Sequence, residues 1–168
     1  CLRAGDGSRD LLWTGVQTCA LPTPHHNAGS TVCAPTRCSW LTGVPTGHAF
    51  VRGNRGVQPE GQAPIPADLI TIPKLLKEAG YTTGMSGKWG LGVPGSSGDP
   101  VNQGRDEFYG YNCQRQAHTF YPKHLWHNNK NLKLDGETYS HDLIHEHSIK
   151  VNRDNAESHF LAYRPFTE

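Results

Sequence analysis

The stretch TIPKLLKEAGYTTGMSGK, residues 71–88, constrains the fold more than any other part of the chain. Ile72, Leu75, Leu76 and Ala79 recur at i, i+3, i+4 and i+7, the spacing of one buried helical face. Thr71 stands at the N-cap position and Pro73 in the first turn, where a missing N–H costs nothing. Gly80 ends the helix. YTTGMSG then reads as a short buried strand, with Lys88 just past its end. Such a unit delivers a lysine at the carboxyl end of a strand, where open α/β sheets keep their sites.

The flanking sequence extends this α/β pattern. Ser140 caps a second helix that runs to Asn152, and HFLAYRPF reads as another buried strand ahead of the last residue, Glu168. Residues 44–68 are rich in Gly and Pro and read as a long surface loop. VPGSSGDPVNQG reads as a second long loop. With 19 Gly and 12 Pro the composition is that of a loop-rich α/β protein. Aromatic residues concentrate between Phe108 and Trp126. Phe108, Tyr109, Tyr111, Phe120, Tyr121 and Trp126 read as core, with a substrate wall as the alternative. Asp106 and Glu107 are adjacent carboxylates on a loop-like turn and read as structural.

Bulk properties exclude several classes. The net charge of +1, with scattered basic residues, leaves no footprint for nucleic acid. No apolar run approaches the roughly 18 residues of a spanning helix, so no membrane span is expected. The five cysteines, Cys1, Cys19, Cys33, Cys38 and Cys113, form no C-x-x-C pair and suit neither a zinc site nor a disulfide scaffold. The first 22 residues lack the regions of a signal peptide and fit nothing that follows. They resemble translated adapter sequence, which divides the chain into a non-native segment, 1–22, and a native part, 23–168; an odd but genuine N-terminal strand is the alternative.

One stretch carries chemistry. In TVCAPTRCSWLTG, Pro35 suits the first turn of a short helix from Pro35 to Thr42, and Gly43 is its C-terminal stop. Cys33 then lies just before the helix, near its free N–H groups and the positive end of its dipole, a position that lowers a thiol pKa and suits an anion. Arg37, one turn on, can reach back with a planar fork of donors. A nucleophile beside an anion clamp fits these residues, and so does a structural cysteine beside a surface arginine.

C-A-P-T-R-C-S-W-L-T-G resembles the type I sulfatase signature C-x-P-[ST]-R-x-x-x-L-T-G. HAFVRGN, LLKEAGYTTGMSGKWGLG, GRDEFYGY, YSHDL and FLAYRPFTE are similar to their arylsulfatase counterparts, in the same order, over residues 25–168. The resemblance implies an alkaline-phosphatase-like fold, with a mixed, mostly parallel sheet flanked by helices and truncated at both ends. It implies that Cys33 is oxidised to formylglycine by a formylglycine-generating enzyme, which reads Cys33, Pro35 and Arg37 as its tag in the unfolded chain. The hydrated aldehyde carries two hydroxyls on one carbon: one attacks sulfur and expels the alcohol, and the other then releases sulfate as the aldehyde reforms. Arg37 would hold the hydrate and Lys88 would bind the sulfate, supplying the fixed positive charge that an anionic transition state needs. The substrate implied is a sulfate ester on an aromatic or sugar alcohol, the ion is Ca²⁺, and the expected compartment is periplasmic or secreted. A phosphate or phosphonate ester hydrolase of the same superfamily and a degenerate, non-catalytic relative are the alternatives.

Two departures stand out. The family's histidine after K-W is Gly90 here, and His118, in Q-A-H-T-F-Y-P, is the candidate replacement in binding the sulfate. The acidic pairs that ligate calcium have no counterpart, so the hydrated side chain at Cys33 is the one ligand expected from this chain. His141 and His145 stand i, i+4 with His147 nearby. Such a pair can bind zinc, but with no third ligand in the pattern a solvated helix face is the better reading. The incomplete chain is expected to be inactive.

Overall fold

A computed structural model describes residues 28–166. Cys1, Cys19 and the expectation for residues 1–22 lie outside them. The described residues form a five-stranded sheet in the order β4-β3-β2-β1-β5. The strands are β1 (Thr82–Lys88), β2 (Glu107–Tyr111), β3 (His124–His127), β4 (Lys130–Lys133) and β5 (Phe160–Tyr163). Strand β1 is central, parallel to β2 on one side and to β5 on the other. Strands β3 and β4 extend the sheet antiparallel, joined at Asn128 and Asn129 with Asn128 at φ 52°. This is the expected mixed sheet.

Among the described residues three α-helices cover the sheet: α1 (Cys33–Thr42), α2 (Ile72–Glu78) and α3 (Ser140–Asp154). Helix α1 packs Ala34, Cys38 and Leu41 against Met85, Trp89, Leu91 and Phe108. Alternation along β1 turns Gly84 and Ser86 the other way, toward α3. Beside α3, Tyr111, Ala117, Leu125 and Ile144 form a second apolar cluster. Each buried Leu, Met or Phe of these clusters stabilises the fold by about 1.5–3 kcal/mol.

Several boundaries differ from the sequence expectations. Helix α1 starts at Cys33 with Val32 as its N-cap, so Cys33 lies inside the first turn and Pro35 two residues further on. Gly43 is the stop: at φ 70° it donates its N–H to the Ser39 carbonyl at 2.8 Å. Thr71 is the N-cap of α2, but its hydroxyl bonds the Gln103 carbonyl rather than the helix. The expected buried face of α2 is not buried. Leu75 is 53% exposed and Ala79 is exposed, because the helix seats by Thr71 and Pro73 while Lys74 bonds the carbonyls of Ala67 and Leu69. Lys88 is the last residue of β1 rather than the residue after it. Ser140 is the first residue of α3, not its cap, which is Tyr139. Glu107 opens β2 rather than lying on a turn. No helix of the described residues is long and apolar enough to cross a membrane.

Candidate active site

The site lies where the start of α1 meets the end of β1. Cys33 is half-buried in the first turn of α1. Cys38, one turn on, faces the core instead, and burial pushes its thiol pKa up, so it stays a packed thiol. Strand β1 carries Lys88 to the same place. The lysine is 4% exposed, and its Nζ lies 3.6 Å from Cys33 Sγ. His118 closes the group from a short 3₁₀ turn, Gln116–His118, with Nε2 3.5 Å from Lys88 Nζ.

Arg37 sits one turn along α1 from Cys33 and ties that helix to β1. Its Nη1 donates to the Lys88 carbonyl at 2.6 Å. The same nitrogen lies 3.5 Å from the Tyr163 hydroxyl on β5. The Tyr163 ring stacks on Trp40 at 4.5 Å, and Arg105 lies over it at 5.2 Å. Arg105 is 1% exposed, and burial pulls its guanidinium down to about 10, still charged at neutral pH. Thus Cys33, Arg37, Lys88 and His118, which are far apart in sequence, are assembled by three elements. Pro35 is buried beside them in α1.

Two contributors were not picked out from the sequence. Asn54 accepts the Ala34 N–H on Oδ1 at 2.9 Å, satisfying one of the open N–H groups of the first turn of α1. Its position in V-R-G-N carries no periodic signal. A cleft of about 470 Å³ opens beside Ala34, lined by Phe50, Arg52, Asn54 and Arg55 among others. Tyr163 was read only as part of a strand, and its role depends on β5 lying next to β1.

The geometry explains Gly90. The residue is at φ 85°, and a Cβ there would lie 2.1–2.5 Å from the Gln114 side chain, itself buried. Gln114 Nε2 donates to the Gly90 carbonyl at 3.1 Å. A histidine at this position has no room, and His118 approaches Lys88 from another segment.

The residues that meet at Cys33 can hold and polarise an anion: an ammonium, an imidazole and a guanidinium one turn away. They do not fit calcium, which takes six to eight oxygen ligands. Among the described residues Cys33 belongs to no cluster of three or more metal-capable His, Cys, Asp or Glu side chains. His141 and His145 join no such cluster either. Among the described residues that property falls to Glu107, His127 and His147.

A family model described as Sulfatase matches residues 17–164. Arylsulfatase D of Homo sapiens is 37% identical over 94 residues, which are 51% of this chain and 16% of that protein. The arylsulfatase of Hemicentrotus pulcherrimus is 40% identical over 90 residues, 50% of this chain and 16% of that one. The crystal structure of Ps i-CgsB in complex with k-i-k-neocarrahexaose matches with a TM-score of 0.62 at 25% identity, over 83% of this chain and 36% of that one. The matched part is about a sixth of these curated relatives.

Proposed function

The chain belongs to the sulfatase family, and we propose that the complete protein hydrolyses a sulfate ester with a nucleophile made from Cys33. The observation that carries this reading is Lys88 Nζ at 3.6 Å from Cys33 Sγ, inside a C-A-P-T-R turn. Formylglycine at position 33 would supply, once hydrated, one hydroxyl to displace the alcohol from sulfur and a second to release the sulfate. The chain's own residues do the rest. Lys88 places a nearly dry ammonium where the sulfate oxygens gain charge. Arg37 fixes the end of β1 through the Lys88 carbonyl, so the ammonium is held rather than searched for. His118, exposed and next to Lys88, is placed to contact the sulfate or to protonate the departing alcohol.

The substrate class follows from the same chemistry. Arg52 and Arg55 in the cleft beside Ala34 suit a polyanionic ester, and the neighbour in complex with k-i-k-neocarrahexaose supports a sugar ester. A formylglycine-generating enzyme is the partner in maturation. The described residues do not fit calcium, and none of these roles depends on it.

The complete protein should turn over a sulfate ester after co-expression with the modifying enzyme, and Cys33→Ala should abolish turnover. A phosphonate ester hydrolysed faster than the matching sulfate ester would move the assignment to the phosphonate branch. Full activity in Cys33→Ala would remove the nucleophile from the account.

A further inference from the structure

We propose that Glu107, His127 and His147 form a transition-metal site, of zinc type, on the α3 side of the sheet. It shares no residue with the Cys33 site. The three ligand atoms come from three elements: Glu107 Oε1 from the start of β2, His127 Nε2 from the end of β3 and His147 Nε2 from the middle of α3. Glu107 Oε1 lies 2.9 Å from His147 Nε2 and 3.4 Å from His127 Nε2. The three ligand atoms lie within 4.8 Å of one another. Tetrahedral zinc, with bonds of 2.0–2.1 Å, holds its ligand atoms about 3.3 Å apart. The two separations from the carboxylate oxygen, 2.9 and 3.4 Å, bracket that value, so a metal could enter with side-chain adjustment alone.

The surroundings are those of a held ligand set rather than a chance meeting of surface groups. Ser86 Oγ lies 2.9 Å from His147 Nδ1, which orients the ring and leaves Nε2 for the cluster. The His147 side chain is only 9% exposed. Tyr109 stacks on the His147 ring at 4.7 Å and 16°, and meets His127 edge-on at 6.0 Å. The two imidazoles cross at 73° with centroids 5.7 Å apart, so their Nε2 atoms converge on one carboxylate oxygen without stacking. Two imidazoles and a carboxylate suit zinc and its neighbours among the divalent transition metals, and do not suit calcium or magnesium. His127 is 41% exposed at the side chain, which gives the ion an entry path and a fourth position for water. Bound there, the ion would clip β2, β3 and α3 together. The i, i+4 histidines of the sequence pattern point elsewhere; the helix contributes His147, and the sheet supplies the other two ligands.

The test uses the full 168-residue chain, stripped with a chelator and then titrated with Zn²⁺ by calorimetry and with Co²⁺ by visible absorption. The expected result is a saturable cobalt spectrum with the intense bands of a four-coordinate ion and no thiolate charge-transfer band. Zinc should also raise the melting temperature. His127→Ala keeps the Glu107–His147 contact and should weaken binding at least tenfold. Ser86→Ala should weaken it about tenfold or more, as loss of an orienting partner does. Should His127→Ala fail to melt like the chelated wild type, Glu107→Gln, which keeps the side-chain shape, replaces it with the same expectation. No saturable binding at micromolar metal would overturn the site. So would binding that survives both His127→Ala and Glu107→Gln, or a spectrum dominated by thiolate bands.

Discussion

Gly90→Ala is the sharpest perturbation of the site, because it separates packing from chemistry. At φ 85° the left-handed backbone costs an L side chain about 1–2 kcal/mol. The new Cβ would lie 2.1 Å from Gln114 Nε2 and 2.2 Å from its Cγ. Gln114 is 3% exposed and cannot swing out to solvent, so the clash is overpacking, about 1–3 kcal/mol. Together the change should destabilise the chain by ~3 kcal/mol, which at this length lowers the melting temperature by about 6–12 °C. Gly90→His should cost more, not less, even though it restores the family's usual residue. A double-mutant cycle with Gln114→Ala isolates the clash. The pair should be less destabilising than the sum of the singles by about 1–3 kcal/mol. A melting temperature of Gly90→Ala within about 2 °C of wild type, or strict additivity with Gln114→Ala, would refute the steric account and leave Gly90 unexplained.

Further predictions concern catalysis and folding. In the complete, modified protein Lys88→Ala should lower kcat by about 10²–10³-fold, as loss of a transition-state donor does, and an unchanged kcat would remove Lys88 from the sulfate. His118→Ala should lower kcat by about 10²-fold with fold and modification intact, and no loss would return His118 to the surface. Gly43→Ala forces an L side chain into the left-handed helix stop at φ 70° and should lower the melting temperature by about 2–8 °C. Burial pushes the Asp106 carboxyl up, but hydrogen bonds from Lys77 and Thr83 outweigh it and hold it below the ordinary carboxylate value. The folded pKa is depressed, so this stability is present above the unfolded value of about 3.9 and is lost as pH falls through the folded one. Asp106→Asn should therefore flatten the acid limb of the stability curve, and an unchanged limb would contradict the assignment.

Much of this arrangement is legible in the sequence because it depends on local signals. Pro35 lies in the first turn of α1 and Gly43 stops it, Thr71 and Pro73 start α2, and the buried stretch after Gly80 is β1 with Lys88 as its last residue. The sulfatase signature then places Cys33 and Arg37. Features that depend on pairing were less visible. The β3–β4 hairpin carries its signal in Asn128–Asn129, residues suited to φ > 0 in a two-residue turn, but its strands are too polar to announce themselves. The face of α2 was misread because periodicity marks an apolar stripe without showing what covers it, and Leu75 is left open. Glu107 looked like a turn carboxylate until β2 and β3 aligned it with His127 and brought both under α3. Asn54 and Tyr163 reach the site through loop closure and strand order, which no single segment encodes.

The most direct test of the central claim is the mass of the peptide carrying position 33 after co-expression with a formylglycine-generating enzyme. On the proposed reading the enzyme acts on the unfolded chain, so the 168 residues serve as its substrate in the test. The account predicts a mass in which the Cys33 thiol has been replaced by an aldehyde oxygen, lost when Pro35 or Arg37 is changed to alanine. An unmodified cysteine at position 33 under conditions that convert a control tag would contradict it.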